Sequence, residues 1–346
     1  MEEVRLNVHL PPGEDGQIVQ EHARRYGLSG HLFRTSGTTG GAKWVHLTDA
    51  AVQASAQAAC DHLRITSSEV WLRALPQFHV GGFMIGERAR VSGSQVRDLF
   101  GPWDAASFMS ALAQRVTASS LVPTQLFDLV ALNTSPPASL RLVLVGGAAL
   151  EDKLYDRAVS LGWPVLRTFG MTETASQLAT ETSVGSGALE ALPGWTLRTD
   201  DEQILSIKGP ALFSGYLTQQ GGYAETGEWF RSSDKVLLSD RNLTPLGRAN
   251  RVVKVLGELV NLEEIEKELP VVIVPREAER RGQELFAVTE DKSLAIDQVR
   301  AWNASTIGPR RISGLVRLSK IPRNALGKVK FSELQDQIDD FKVIRV

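Results

Sequence analysis

The sequence predicts an α/β protein that continues into a β-rich element and ends in a small α+β domain, on three observations. Between Ser29 and Phe169, short β-rich runs alternate with helical patterns, as in a layered α/β unit. After Gly194 the helical periodicity gives way to short alternating segments with frequent glycine. Proline and glycine interrupt the pattern near Pro245 to Asn250, ahead of a last region where strands and helices mix. With 346 residues, 42% of them apolar, the chain can bury a sizeable core in each of two domains, expected over residues 1–246 and 247–346.

In the first region the strands are expected at His31 to Thr35, Val70 to Leu75, Leu140 to Val145 and Pro164 to Phe169. The helices are expected at Ala50 to Leu63, Ala105 to Gln114, Thr124 to Leu132 and Leu150 to Leu161. Asp49 is the expected cap of the first helix, since its carboxylate can accept from exposed backbone N–H groups. Helical crossovers between the runs imply parallel pairing. Trp195 to Thr199, Gln203 to Lys208 and Glu228 to Asp240 make up the β-rich element. In the last region, strand-like Arg251 to Leu256, Val271 to Pro275 and Leu285 to Thr289 accompany helices at Leu262 to Leu269 and Phe331 to Asp339.

Lys plus Arg (38) nearly balances Asp plus Glu (40), so a net charge of -2 supplies no long-range field to gather nucleic acid or an anionic membrane. The single cysteine, Cys60, excludes an intrachain disulfide and a clustered thiolate metal site. Its alanine-rich surroundings read as a small residue packed on a helix face. No apolar run approaches the ~20 residues of a membrane span, and MEEVRLNVHLPP lacks a basic segment followed by an apolar one. A soluble, cytoplasmic protein is expected.

The sharpest local feature is Thr35-Ser36-Gly37-Thr38-Thr39-Gly40-Gly41-Ala42-Lys43, directly after an expected strand. Its glycines permit close backbone approach, its hydroxyls can donate to phosphoryl oxygens, and Lys43 adds a cation. It is not a Walker A loop, because Lys43 is followed by Trp44 rather than by serine or threonine.

This loop resembles the phosphate loop of the acyl- and aryl-CoA synthetase, adenylation-domain and luciferase superfamily, usually Thr-Ser-Gly-Thr-Thr-Gly-x-Pro-Lys-Gly. Ala42 and Trp44 replace the usual proline and glycine. Further segments resemble the family's motifs in the same order. They are Leu75 to Gly82 around His79, Gly146-Gly147-Ala148, Phe169-Gly170-Met171-Thr172-Glu173-Thr174-Ala175, Ser233-Asp234, Gly247-Arg248, Gly257-Glu258, and Pro322 to Lys328. The resemblance implies an adenylate-forming α/β fold lacking most of the usual N-terminal subdomain, since only 34 residues precede Thr35, with a small mobile C-terminal domain carrying a catalytic lysine. It also implies the cofactors ATP and Mg²⁺, with coenzyme A as cosubstrate.

The roles follow residue by residue. Thr35, Ser36, Gly37, Thr38, Thr39, Gly40 and Lys43 are the expected phosphate holders, Thr172 the contact to the α-phosphate and Glu173 the Mg²⁺ ligand, an oxygen donor of the kind magnesium prefers. Gly147, Phe169 and Gly170 are expected beside the nucleotide, with Phe169 stacking on adenine. Asp234 is assigned to the ribose hydroxyls and Arg248 to ribose or phosphate. Lys328 is the expected transition-state cation of adenylation, withdrawn when the final domain rotates. Asn250 stands at the hinge, where an aspartate or lysine is usual, and Gly257 lies in the turn facing the thiolation site.

Trp71 to Pro76, Gly162 to Gln177 and Pro322 to Ala325 look closest to o-succinylbenzoate-CoA ligases of menaquinone synthesis. The implied partners are an aromatic carboxylate and CoA, with His79, Thr124, Gln125, Ser176 and Gln177 lining the acid's pocket. A homo-oligomer would cover the surface that the absent subdomain exposes. Two alternatives stay open: a ligase for another aryl or acyl acid, and a nucleotide- or acyl-adenylate-binding protein without turnover.

Overall fold

The computed structural model describes residues 6–36, 42–256, 258–278, 282–291, 296–306, 308–325, 327–339 and 343–345. The chain divides into two compact units. The first holds residues up to Ser232 together with Val236–Pro245, the second Ser233–Lys235 together with Leu246 onward.

The first unit is built on a parallel sheet whose strands lie in the order Gln95–Asp98, Val70–Arg73, Ala118–Leu121, Leu142–Val145, Val165–Phe169. All four residues of Ala118–Leu121 and of Leu142–Val145 are buried, the mark of strands covered on both faces. One face packs on helices Ala105–Leu112, Pro123–Ala131 and Asp152–Ser160 through Phe108, Leu112, Leu126, Leu129, Val143 and Tyr155. The other packs on helices Asp49–Leu63 and Val80–Ser92 through Cys60, Leu63, Trp71, Ile85 and Leu144. Antiparallel strands Ala179–Glu181 and Leu189–Ala191 extend the sheet beyond Val165–Phe169.

Two expectations are corrected. Asp49 is the first residue of its helix rather than the cap; the cap is Thr48, whose hydroxyl accepts from Ala51 N–H at 3.1 Å. The strand before the phosphate loop is not part of the parallel layer. Gly30–Ser36 pairs antiparallel with Ala42–Leu47, which pairs with Gly215–Thr218, in a separate sheet. The reason lies in Lys43 to Leu47: Trp44, Val45, His46 and Leu47 are all buried, so the chain after the loop is driven back into the sheet interior instead of into a helix.

Strand Leu6–His9 adds to the edge of this sheet, parallel to Gly30–Ser36. His9 Nε2 lies 2.9 Å from His31 Nδ1, and His31 Nε2 lies 3.0 Å from Asp49 Oδ1. His9 also stacks on Phe33, with centroids 4.1 Å apart. Burial first, then the neighbouring His31, lowers the His9 pKa from 6.5 to about 4. The unfolded chain therefore takes up this proton before the folded one does, so stability is complete above pH 6.5 and is lost as pH falls towards 4. His31, also lowered chiefly by burial, adds to the same slope. The unfolding midpoint should drop across this window and drop less in His9→Phe; an identical slope in the variant would remove His9 from the account.

The second unit contains a hairpin, Val252–Val255 with Glu258–Asn261, and a sheet in the order Val272–Ala278, Gly282–Thr289, Ile312–Arg317, Ile344–Arg345. Helix Leu262–Glu268 starts at Asn261, whose side chain accepts from Glu263 N–H at 3.1 Å. Ile265, Ile273, Leu285, Ala287, Val299 and Leu315 form one core cluster; Val274, Val288, Val316, Leu334 and Ile338 belong to a second.

Candidate functional site

Strand pairing delivers the phosphate-loop lysine. Lys43 stands opposite Thr35 on one neighbouring strand and opposite Thr218 on the other, and the Thr35 hydroxyl donates to the Lys43 carbonyl at 3.3 Å. Trp44, in place of the usual glycine, points to the opposite face and is buried with Ala23, Leu28, Leu32 and Leu217. The Lys43 ammonium lies 5.3 Å from the ring centroid of Tyr216. Gly37, Thr38, Thr39 and Gly40 lie outside the described residues. Ser36 is the last residue of its strand.

Glu173 comes from the other sheet. Strand Val165–Phe169 ends at Gly170, and the chain turns through the short 3-10 helix Thr172–Thr174. The turn closes on itself. Thr174 Oγ1 accepts from Met171 N–H at 3.1 Å, Ser176 N–H donates to the Met171 carbonyl at 3.1 Å, and a Cβ on Gly170 would sit 1.7 Å from the Ser176 carbonyl oxygen. Only glycine suits that point. Ala175 and Ser176 follow with φ of 47° and 90°, a conformation that costs side-chain-bearing residues about 1–3 kcal/mol each. Here it is held by Ser55 Oγ, which donates to the Ala175 carbonyl at 2.7 Å. The Glu173 carbonyl accepts from Phe213 N–H at 2.9 Å, and its carboxylate Oε1 accepts from the Tyr216 hydroxyl at 2.7 Å. Tyr216 thus connects Glu173 with Lys43. Phe169 is half-buried against the cluster of Leu178, Ala179 and Leu192, and Gly147, with φ of 84°, follows the neighbouring strand Leu142–Val145.

His79 is the first residue before helix Val80–Ser92, its ring 4.6 Å from that of Phe78. Gly82 lets this helix sit on the preceding turn, since a Cβ there would fall 2.2 Å from the Pro76 carbonyl oxygen. The helix carries Arg88, which the motifs did not single out. Arg88 is 1% exposed; its Nη2 donates to Ser176 Oγ at 3.4 Å, and its Nε has no hydrogen-bond partner among the described residues. Burial lowers its pKa from 12.5 to about 10, which still leaves a cation at neutral pH. The Cys60 thiol, which burial pushes up and keeps neutral, donates to the Arg88 carbonyl at 3.5 Å. A buried guanidinium whose side-chain hydrogen-bond partner among the described residues is a neutral hydroxyl is unusual enough to call for an anion. The sequence carried a trace of it: Met84, Ile85, Arg88 and Ala89 fall on one helical stripe, and Arg88 is the charge among them.

Beside Ser176, Gln177 is buried; its Nε2 donates to Thr180 Oγ1 at 2.8 Å while Oε1 lacks a partner. Gln125 is also buried, but its amide serves the backbone, accepting from Val122 N–H at 3.1 Å and donating to the Ala74 carbonyl at 3.4 Å. Thr124, one residue earlier, is exposed.

In the second unit Asp234, 9% exposed, accepts from Arg248 Nε at 3.2 Å, so the two residues assigned to the ribose are neighbours. Asn250 is the middle residue of the 3-10 turn Ala249–Arg251. Lys328 is exposed on a tight turn: Asn324 and Lys328 exchange hydrogen bonds, and Gly327 supplies a φ of 74°. Gly257 lies outside the described residues.

A family model described as AMP-binding enzyme matches residues 32–217, more than half of the chain and all of the first-unit motifs from the phosphate loop to Tyr216. The chain belongs to the AMP-binding enzyme family. Among this family's curated members, a 2-succinylbenzoate–CoA ligase of Bacillus cereus (strain AH820) is 28% identical, over 95% of this chain and 74% of the relative. One from Bacillus cytotoxicus is 29% identical over 89% and 70%. Among solved structures, o-succinylbenzoate CoA synthetase from Bacillus subtilis in complex with its acyl-adenylate intermediate matches with a TM-score of 0.79 at 24% identity, over 91% of this chain and 70% of that one. The same enzyme in complex with ATP and magnesium ion matches with a TM-score of 0.78 at 25% identity, over 88% and 70%. The adenylate-forming α/β fold expected from the motifs is therefore the fold of this family member, in a chain shorter than its relatives.

Proposed function

We propose that this AMP-binding family member is an ATP-dependent ligase acting in the cytoplasm on o-succinylbenzoate and coenzyme A. A carboxylate oxygen of the acid attacks the α-phosphorus of ATP and the bond to the pyrophosphate oxygen breaks. The thiolate sulfur of CoA then attacks the acyl carbon and AMP leaves. Lys43 and the loop hydroxyls of Thr35, Ser36, Thr38 and Thr39 hold the β- and γ-phosphates, Thr172 meets the α-phosphate, Phe169 the adenine, and Asp234 with Arg248 the ribose. Lys328 supplies positive charge as the phosphorus is attacked.

The residues suit magnesium. Glu173 offers a carboxylate with one oxygen already committed to Tyr216, and Mg²⁺ is typically held by one or two carboxylates while phosphates and water fill its other positions. When bound, the ion would neutralise charge on the phosphates.

The observation that carries the substrate reading is Arg88. An acid with a second carboxylate would give this buried cation an anionic partner beside the Ser176 hydroxyl. The names of the curated relatives point to the same acid. The test is a panel of o-succinylbenzoate, benzoate, fatty acids and amino acids with ATP, Mg²⁺ and CoA, following pyrophosphate and identifying the thioester by mass. o-Succinylbenzoate should turn over best. Preference for another acid would reassign the substrate, and no adenylate or thioester with any acid would favour a binding protein.

A further inference from the structure

We infer that Tyr216 is a positioning residue that holds the metal-binding carboxylate and the phosphate-loop lysine in a fixed relation to each other. The inference rests on the reading of Glu173 as the magnesium ligand. Through a single side chain Tyr216 reaches both halves of the proposed triphosphate site. Its hydroxyl donates to Glu173 Oε1 at 2.7 Å, and its ring lies 5.3 Å from Lys43 Nζ.

The backbone places it there. Tyr216 pairs in register with Val45, two residues along the strand from Lys43. The ring packs against Phe213, centroids 4.6 Å apart, and Phe213 N–H in turn holds the Glu173 carbonyl. Gly215 is required just before it, because a Cβ would come 2.4 Å from the Ala224 carbonyl oxygen. Tyr216 is thus fixed on three sides before any ligand arrives.

The chemistry of the hydroxyl suits the task. A tyrosine hydroxyl, with an ordinary pKa of about 10, is a protonated donor at neutral pH. A donor on Oε1 selects one carboxylate rotamer and leaves Oε2 as the oxygen for the metal. Hydrogen bonds of this kind to a metal-ligating carboxylate typically change metal affinity by about 10–100-fold when removed. The ring does a separate job, offering its negative face to the ammonium. The two jobs can be separated by substitution.

The test compares Tyr216→Phe, Tyr216→Leu and Glu173→Gln in the full chain. Calorimetry measures ATP binding with and without Mg²⁺, electron paramagnetic resonance measures Mn²⁺ binding in the presence of ATP, and thermal unfolding confirms the fold. Tyr216→Phe keeps the ring, so metal-free ATP binding should be unchanged while Mn²⁺ binding weakens about tenfold. Tyr216→Leu should weaken both, and Glu173→Gln should weaken Mn²⁺ binding more than Tyr216→Phe does. If Glu173→Gln loses metal and Tyr216→Phe does not, the inference fails and the metal reading stands. If Tyr216→Phe loses metal-dependent and metal-free binding equally, the side chain is only structural and the inference fails. Unchanged metal binding in Glu173→Gln would overturn the metal reading itself and the inference with it.

Discussion

Replacing Lys328 by alanine should slow formation of the acyl-adenylate by about 10²–10³-fold, the usual effect of losing one group that stabilises charge only in the transition state. Reaction of supplied acyl-adenylate with CoA should stay within a few-fold, because the proposed charge acts before that step. The position favours a clean result. Lys328 is exposed, and its backbone N–H and carbonyl close the turn with Asn324, bonds that truncation of the side chain leaves in place. Measuring the two half-reactions separately decides the matter; equal damage to both would remove Lys328 from its assigned role.

Arg88→Met should have an effect of similar size, but on selectivity. It removes a buried cation and its hydrogen bond to Ser176 and puts an apolar side chain of similar length in its place. A substrate carboxylate left unpaired in the same place costs roughly 3–5 kcal/mol, so kcat/KM for o-succinylbenzoate should fall by about 10²–10³-fold. Benzoate, which has no second carboxylate, should lose nothing and gain relative to it. A variant that loses both acids equally and unfolds earlier would show that Arg88 serves the fold through Ser176 alone.

Three strands of the parallel layer and most of its helices were legible because their periods are strong and well separated; Ala50 to Leu63 and Leu140 to Val145 fall within a residue or two of Asp49–Leu63 and Leu142–Val145, whereas strands Gln95–Asp98 and Ala118–Leu121 were not expected. Helix Val80–Ser92 was not. Gly81 and Gly82 argue against a helix on propensity, and only the close approach of Gly82 to the Pro76 carbonyl explains why one begins there. Strand Ala42–Leu47 was hidden for the opposite reason: all of Trp44 to Leu47 is buried, so it lacks the polar alternation by which a half-buried strand is recognised. In the candidate site, motifs bring out side chains that belong to recurrent phrases, such as Lys43, Glu173, Asp234 and Lys328. Tyr216 and Arg88 belong to none. Their partners lie 43 and 88 residues away in sequence, and the relation appears only when the chain is folded.

The pairing of Lys43 on both sides has a consequence for how this protein can change. Here the lysine is part of a central strand, pinned between Thr35 and Thr218, with Trp44 anchored beneath. The backbone carrying the charge is therefore set by its pairing on both sides. Substitutions at Trp44 or in the strands on either side would shift the cation along with the fold, so the position of this charge can be changed only by repacking the sheet interior.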